Sequence, residues 1–480
     1  QAILDAFAFG IPGPTDPASA FLPEEKKFHA DRYGAMGTGH NWGSGRAAEA
    51  GKYQIKGIGK TKLVSALQKD HHNNGTLPME EAYREAIWSE VNKDAPHGSN
   101  RVIVLIDRGT FTRAGDGSLQ RDILVVREAP VRPAHFMKSL SYSDTDGWLG
   151  SEEKRVKASH RYLKQALPKS EAGIKAGFTE YMNRVADQHA YLFANRLYHG
   201  ADTPSNIDIS GKLLDFGTQT AQPGYGKIQN LDFVSPAGDR KGPLGNLVLD
   251  FLSSLQKESP NLPLPSQAEA TSLFLARYNE SLNKEFTKLT GVPENLLPEL
   301  SAAQKKLGPL LREIAVVGAI SANPRNPLPE KLQQFDLNQM LTRLAHAGDA
   351  TERSAIVKEE MPGVMHTLKR GKFVRAYEDW LSDALAAAKR KGMSQEKFFE
   401  QLRKNALRLN QKMPELYYSN LVQDAYALAD AYNKSGDPAP VRNLIQEKIN
   451  AWENRGSGKS KPIAKAPLKS CKTFFGWFQR

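Results

Sequence analysis

Four residues in three separate stretches of the chain have types and an order suited to binding a phosphate ester and its metal ion. They are Lys56 in KYQIKGIGKT, Glu85 in YREAIWSEV, and Asn206 and Asp215 in HGADTPSNIDISGKLLDFGT. A triphosphate with Mg²⁺ needs a cation on its phosphates, an acid that orients this cation, and hard oxygen ligands for the metal. Lysine, glutamate and the asparagine–aspartate pair can fill these roles. The order therefore predicts that these segments converge on one nucleotide site.

The two predicted metal ligands are close in the sequence. Asn206 and Asp215 are nine residues apart, and Asp215 begins an Asp-Phe-Gly triplet after a short apolar run. Both side chains offer oxygens of the kind that Mg²⁺ or Mn²⁺ binds. An Asp-aromatic-Gly triplet alone is a common turn, but the preceding asparagine and the pair His199-Gly200 make this combination more specific.

Two further segments offer groups that suit phosphates. In WGSGRA, Gly43 and Gly45 would let the backbone approach a phosphate, and Arg46 supplies a planar fork of donors. Arg127 and Arg132 in VVREAPVRPAHF could clamp phosphates in the same way. A tight turn with a surface arginine is the plainer interpretation of WGSGRA. For the other two arginines it is salt bridges at the surface or between lobes.

Periodicity predicts the elements that position Lys56 and Glu85. The alternation in KYQIK is typical of a half-buried strand with Gln54 and Lys56 on its polar face. Residues 78–92 carry an apolar stripe at helical spacing, and Glu85 lies beside this stripe, which favours an inward direction. The plainer interpretation of either residue alone is a surface lysine and a solvated helical glutamate.

The chain divides into four parts by its patterns. Strand-like runs at 101–106 and 121–126 indicate a β-rich part, whereas helical periodicity dominates from about residue 150 and only GKLLDFG looks β-like. Proline-rich breaks at 259–266 and 323–330 are candidate junctions. The predicted units are an N-terminal segment with a nucleotide-binding lobe (1–145), a helical lobe with the metal and catalytic loop (146–325), a further helical region (326–453) and a basic aromatic tail (454–480).

Bulk composition excludes several classes of function. Hydrophobic residues make up 40% and charged residues 25%, which is ordinary for a soluble globular protein. The longest apolar stretch, at 314–322, is much shorter than the roughly 20 residues that cross a bilayer. The single cysteine, Cys471, leaves no partner for an internal disulfide and fits a reducing compartment, so we expect a cytoplasmic protein without a membrane span.

The positive charge is concentrated at the C-terminus. The net charge is +12, and the segment 455–480 contributes seven of these charges and contains no acid. The basic character thus belongs mostly to a tail rather than to a groove, and we expect no nucleic-acid partner. Four aromatic residues beside these cations predict either a segment that docks on a protein partner or on the protein itself, or a disordered terminus.

Taken in order, these motifs resemble the selenoprotein O family of kinase-like protein adenylyltransferases. GHNWGSGRA is similar to that family's GHxFGxGRA, KYQIKGIGKT to QLKGAGRT, REAIWSEV to a REFLxSEAM-type helix, and HGADTPSNIDISGKLLDFG to HGxxNTDNMSILGLTIDYG. VVREAPVRPAHF resembles the stretch that carries two nucleotide-contacting arginines, and PELYYSNLVQDAYALADAYNKSGD is similar to NPKYVLRNYLAQxAI. The resemblance spans roughly residues 33–450 and is remote between the motifs.

The resemblance implies an α+β, protein-kinase-like fold with a β-rich N-lobe, a helical C-lobe and an additional C-terminal helical region. ATP would bind in an inverted orientation, and AMP would be transferred to a protein hydroxyl. Glu85 would pair with Lys56, and Asn206 and Asp215 would hold Mg²⁺ or Mn²⁺. The residues implied to contact the nucleotide are Gly43, Gly45, Arg46, Lys56, Asn74, Gly75, Arg127 and Arg132.

The chain departs from the family pattern at positions that bear on chemistry. Ser205 stands where the family has its catalytic-base aspartate, and serine is a poor general base near neutral pH. Asn74 replaces an aspartate in the nucleotide loop, Arg127 and Arg132 are closer together than the family's pair, and Cys471 has no partner cysteine. The reaction would then run without this base, or use another group such as Asp202, or take an acceptor that is already an anion.

The leading interpretation is therefore an ATP- and metal-dependent nucleotidyltransferase. Its acceptor would be a protein hydroxyl, or a peptide or small-molecule carboxylate that becomes an acyl-adenylate. One alternative is a nucleotide-binding pseudokinase that serves as the partner subunit of a modification complex, which Ser205 and the aromatic tail favour. A second alternative is a kinase that transfers the γ-phosphate.

Overall fold

The computed structural model describes most of the chain and confirms that it mixes α-helices with antiparallel sheets, so the α+β class is correct. Several predictions concern residues outside the described ones: the segment before residue 28, Asn74, the break at 323–330, and the tail from residue 456 onward with Cys471. The described residues are 28–35, 43–61, 63, 75–113, 119–139, 151–225, 228–230, 233–235, 242–320, 335–361 and 367–455.

Nine strands form three antiparallel sheets within the described residues. The largest has the order β1-β2-β3-β5-β4, and two ribbons pair β6 with β7 and β8 with β9. Both strand runs predicted in the first part of the chain are confirmed as β4 and β5. The strands are β1 (His29–Ala30), β2 (Ala47–Ala50), β3 (Tyr53–Lys56), β4 (Val102–Arg113), β5 (Leu119–Glu128), β6 (Leu197–Tyr198), β7 (Thr220–Ala221), β8 (Ile228–Asn230) and β9 (Phe233–Ser235).

Helices make up most of the described chain after residue 150, as predicted. A π-helix at Gly242–Leu249 runs directly into α5, and the proline-rich break at 259–266 lies between α5 and α6. The α-helices are α1 (Met79–Val91), α2 (Glu152–His160), α3 (Leu163–Ala166), α4 (Ile174–Ala194), α5 (Asp250–Glu258), α6 (Gln267–Lys288), α7 (Ser301–Ile320), α8 (Leu337–His346), α9 (Ala350–Glu360), α10 (Thr367–Arg390), α11 (Gln395–Asn410), α12 (Tyr418–Ser435) and α13 (Ala439–Glu453).

The register of β3 against β5 places the polar residues of both strands on one face. Gln54 lies opposite Arg127 and Lys56 opposite Val125, and cross-strand partners point to the same side of a sheet. The prediction that β3 is half-buried is wrong, since Gln54 is 0% and Lys56 4% exposed. Ile55 packs in an apolar cluster on the opposite face, so the strand is covered on both sides.

Helix α1 covers the polar face of the sheet and is itself enclosed. The helix predicted at 78–92 is confirmed, but eleven of its thirteen residues are buried rather than a single stripe. Ala82 packs in an apolar cluster with β5, whereas Trp88 packs in a second cluster with residues of α4, α12 and α13. Burial on both sides also encloses charged residues of the helix, and buried charges require partners. These partners form the candidate active site.

The largest apolar core lies among the helices α4 to α11. The run GKLLDFG, which its pattern predicts to be β-like, forms no regular strand. Leu213 makes isolated bridges to Ser99 and Ile207 instead. Among the helices of the described ranges, none has both the length and the apolar character that a bilayer crossing requires.

Candidate active site

Lys56 joins three segments of the chain in one ion cluster. Its Nζ atom lies 2.6 Å from Oε1 of Glu85 and 2.9 Å from Oδ1 of Asp215. Lys56 ends β3, Glu85 lies in the middle of α1, and Asp215 follows Lys56 by 159 residues. The predicted Lys56–Glu85 pair is confirmed. The alternative of a surface lysine and a solvated glutamate is wrong, because their side chains are 5% and 0% exposed.

Glu81 is a fourth member of this cluster that the sequence interpretation missed. Its Oε1 lies 2.8 Å from Lys56 Nζ and accepts a hydrogen bond of 2.6 Å from Nη2 of Arg46. Ligand oxygens of Glu81, Glu85 and Asp215 all lie within 4.8 Å of one another, which is a spacing that can hold a metal ion. Glu81 precedes Glu85 by four residues, and this helical spacing is the signal that could have revealed it.

Arg127 contacts the cluster through Glu85. Its Nη1 donates to Glu85 Oε2 at 3.2 Å, and its Nε and Nη2 both donate to Gln54 Oε1, at 2.9 and 2.7 Å. The side chain is 1% exposed. The alternative of a salt bridge at the surface is therefore wrong for this arginine, which forms a buried salt bridge with the second carboxylate oxygen of Glu85.

Arg132 links the sheet to the loop that carries the predicted metal ligands. Its Nη1 donates to the carbonyl of Ser205 at 2.7 Å, and its Nη2 lies 3.3 Å from Oδ2 of Asp31. Asp31 also contacts His135 Nε2 at 2.8 Å. Burial alone would raise the pKa of Asp31, but the charges of Arg132 and His135 lower it below its ordinary value. The surface alternative is wrong for Arg132 too, since its side chain is 2% exposed.

Arg46 is buried as well, with 4% of its side chain exposed, so it is not a surface arginine. Together the described cluster contains four cations and four carboxylates, and every arginine in it lies against an acid. The cations are Lys56, Arg46, Arg127 and Arg132, and the carboxylates are Asp31, Glu81, Glu85 and Asp215.

Asp215 combines an ionised carboxylate with partial exposure. Burial raises its pKa, but the positive charges of Lys56 and Arg127 outweigh this and hold the pKa well below its ordinary value. About a third of its side chain, 33%, is exposed. Its backbone has φ +62°, a left-handed conformation that aspartate adopts more readily than most residues. A charged carboxylate that is open on one side is a suitable ligand for a divalent cation.

Asn206 lies on the segment next to Asp215 but does not join the ion cluster. Its carbonyl accepts the N–H of Leu214 at 3.3 Å, and its side-chain Nδ2 donates to the carbonyl of Ala201 at 3.1 Å. Its Oδ1 makes a 3.5 Å contact with the Ser205 hydroxyl. Asparagine and aspartate oxygens are thus held on neighbouring backbone segments, and their joint role as metal ligands stays a prediction.

Within the described residues, the side chain of neither candidate for the base position makes a bond to the cluster. The Ser205 hydroxyl lies 2.8 Å from the hydroxyl of Thr203, and the residue is 5% exposed. Asp202 lies beside His189, with 3.9 Å between Oδ1 and Nδ1. Burial lowers the pKa of His189, so the imidazole is neutral near pH 7.

Two of the predicted nucleotide-contacting glycines, Gly43 and Gly75, are required by the packing of the protein itself. A Cβ atom at Gly43 would lie 2.4 Å from the carbonyl oxygen of Asp31, and one at Gly75 would lie 1.9 Å from the amide nitrogen of Lys60. Gly45 accepts the amide N–H of Thr61 through its carbonyl at 2.9 Å. These contacts explain the glycines by a tight turn, and contact with a phosphate stays a prediction.

Residues without any predicted role hold the Asp215 segment in place. His199 Nε2 lies 3.0 Å from the carbonyl of Leu214, and Arg84 of α1 donates to the carbonyl of Gly217. The side-chain amides of Asn92 and Gln219 bond to each other reciprocally at 2.8 and 3.0 Å. The segment around Asp215 is therefore fixed both to α1 and to Asn92, the residue that follows this helix.

No protein-family model and no curated protein matches this chain. The order of the motifs and the geometry of the cluster are consequently what supports an interpretation of the site.

Proposed function

We propose that the protein is an ATP- and Mg²⁺- or Mn²⁺-dependent nucleotidyltransferase with a two-lobed, kinase-like fold. It transfers AMP to a protein hydroxyl, or to a carboxylate of a peptide or small molecule. The observation that carries the proposal is the three-way contact of Lys56 with Glu85 and Asp215, from a strand, a helix and a distant loop. A lysine aimed by a glutamate, beside an aspartate followed by Phe-Gly, is the arrangement that kinase-like enzymes use for nucleotide phosphates.

The charge balance of the cluster indicates how a nucleotide would enter. Without a nucleotide, Lys56 and the arginines form ion pairs with carboxylates. They can bind phosphates only if another cation, such as a metal ion, takes their place beside those carboxylates. Asp215 and Asn206 offer the hard oxygens that fit Mg²⁺ or Mn²⁺, because Asp215 is ionised and partly exposed. The metal ion, when bound there, supplies positive charge for the phosphates and for the leaving group.

The transfer itself forms a bond between an acceptor oxygen and the α-phosphorus and breaks the bond from the α-phosphorus to the oxygen that bridges it to the β-phosphorus, so that pyrophosphate leaves. A hydroxyl acceptor also releases its proton to water. Lys56, oriented by Glu85, stabilises the charge that develops on the phosphates. Positioning and electrostatics supply most of the catalysis in phosphoryl transfer. A carboxylate acceptor, which needs no deprotonation, suits a site with Ser205 in place of an acidic base.

A second candidate function is that of a nucleotide-binding pseudokinase that works as a partner subunit. The specific observation in its favour is Ser205, whose hydroxyl lies against Thr203 and whose carbonyl is held by Arg132. A side chain fixed in this way is a structural element of the loop and offers no base to an acceptor hydroxyl.

Incubation with ATP labelled at the α- or the γ-phosphate separates these functions. The acceptors are the protein itself, a protein mixture and free carboxylate compounds, each with Mg²⁺ or Mn²⁺. Retention of α-label on an acceptor, or pyrophosphate release that needs a carboxylate, supports AMP transfer. Retention of γ-label supports a kinase, and binding without any transfer supports the pseudokinase. Asp430→Asn, which removes an exposed carboxylate of α12, is the matched control for Asp215→Asn.

A further inference from the structure

A second group of buried arginines surrounds a small cavity outside the candidate active site. The cavity lies where the end of α4 and the β6–β7 ribbon meet α11 and α13. The cavity is small: the centre of a water molecule could move within about 10 Å³, so there is room for about one water molecule. Its polar lining consists of Asn195, Arg196, Gln222, Gln411 and Arg455.

Arg196 reaches this cavity with donors to spare. The residue is 6% exposed, and its Nη2 donates to the carbonyls of Asn410 and Gln411 at 3.2 and 2.8 Å. Its Nε and Nη1 atoms are buried and have no hydrogen-bond partner. Its backbone has φ +58°, the left-handed region, and its carbonyl accepts the N–H of Gln222 at 2.8 Å. The side chain is thus held in place while two of its donors stay unused.

Arg455 lines the same cavity and is also buried, with 7% of its surface exposed. Its guanidinium lies 3.3 Å from the ring centre of Trp452, and its Nε and Nη1 lack hydrogen-bond partners. Burial lowers the pKa of Arg455 to about 10, which still leaves the side chain charged at neutral pH. The carboxylate of Asp94 accepts the indole N–H of Trp452 at 3.1 Å.

No acid in the described part of the chain forms an ion pair with Arg196 or Arg455. Two cations that share a buried cavity without a counterion are unfavourable, because each has lost its hydration and each repels the other. Asp94 acts on Arg455 through its charge but accepts its hydrogen bond from Trp452. A water molecule would satisfy some of the four unused donors but would leave both cations without an ion-pair partner. An anion satisfies the donors and the charges together.

We propose that this cavity binds one small monatomic anion, a halide ion, on the guanidinium groups of Arg196 and Arg455. The volume restricts the occupant to this size. The bound anion would fasten α11 and α13 to residues 195–197 and 221–222, which flank the segment that carries Asn206 and Asp215. This inference does not rest on the proposed nucleotidyltransferase function.

The test measures the melting temperature of the full chain against sodium chloride, with sodium gluconate keeping the ionic strength constant. Gluconate is too large for the cavity. We expect a saturable rise on the order of a few degrees for the wild type. Arg455→Met keeps the apolar stem and should abolish the rise, whereas Arg442→Met, which removes an exposed cation of α13, should leave it unchanged. Formate, which has three heavy atoms, should raise the melting temperature less than chloride does at the same concentration.

Two outcomes would overturn the proposal: a wild-type protein that does not respond to chloride, or an Arg455→Met variant that keeps the full response. Arg455→Lys provides a second variant, since it keeps the charge but offers fewer donors, and the half-saturating concentration should rise at least about tenfold. The linewidth of the chloride NMR signal gives an independent measurement, because a bound chloride broadens it and Arg455→Met should remove the broadening.

Discussion

The candidate active site and the arginine cavity bury similar cations in different electrical surroundings. In the candidate active site each arginine lies against a carboxylate: Arg46 against Glu81 and Arg127 against Glu85. Around the cavity, Arg196 and Arg455 have unused donors and no acidic partner among the described residues. A matched cluster is stable as it stands, and in the proposed function it exchanges its partners for a nucleotide and metal. An unmatched pair instead needs an anion from outside.

The largest expected effect is on the chemistry of the matched cluster. Asp215→Asn removes the charge but keeps a residue type that tolerates the left-handed backbone. Loss of a residue that only supports a metal ligand typically lowers activity by up to roughly 100-fold. Asp215 is proposed to be a ligand itself, so we expect its loss to lower label transfer from ATP by more than this. Asp430→Asn should transfer label at the wild-type rate. Transfer by Asp215→Asn within about threefold of wild type would remove Asp215 from the proposed mechanism.

The next effect sharpens the comparison by removing one arginine from each group. Arg127→Met leaves Glu85 buried with one cation fewer and should lower the free energy of unfolding by about 3–5 kcal/mol. Arg455→Met removes an uncompensated charge, and in chloride-free buffer it should change stability by less than ~1 kcal/mol or increase it. Urea denaturation measures both. Equal losses in the two variants would contradict the distinction between the groups.

A smaller effect concerns stability in acid. The folded-state pKa of Asp31 lies below its ordinary value of 3.8. In the pH range from about 5 to 3 the unfolded chain therefore binds a proton that the folded chain does not, and stability falls as the pH falls. Asp31→Asn should have a shallower loss of unfolding free energy across this range. A loss as steep as that of the wild type would show that the carboxyl of Asp31 is not held ionised by Arg132.

The smallest effect is expected at Ser205. Its hydroxyl is a poor base and lies against Thr203, so Ser205→Ala should change the rate of label transfer by less than about threefold. Steady-state transfer of α-label measures this. A loss of about 100-fold or more would place the hydroxyl in the reaction and would argue against an acceptor that needs no base.

The sequence predicts those parts of the site whose chemistry follows directly from the residue types and their order in the chain. Lys56 at the end of a strand, Glu85 on a helix and Asp215 before Phe-Gly could be placed together because the three types are needed for one task. Glu81 could have been found as well, since it lies one helical turn before Glu85 and on the same side.

Other parts depend on tertiary packing that local patterns do not contain. The alternation in β3 predicts an exposed polar face, but α1 covers this face and turns Gln54 into a buried acceptor for Arg127 and Arg132. Arg196 and Arg455 belong to no motif. Their unpaired state arises because segments separated by more than 200 residues close around one cavity without bringing an acid to it.

The central claim is that Lys56, Asn206 and Asp215 form a site for a nucleotide with its metal, and equilibrium binding of ATP tests it most directly. Titration calorimetry should show that the wild type binds one ATP per chain in the presence of Mg²⁺. The affinity for ATP should fall at least about tenfold when the Mg²⁺ is removed with EDTA. It should fall by a similar factor in the Asp215→Asn variant measured with Mg²⁺. Absence of ATP binding, or equal affinity under all three conditions, would contradict the account.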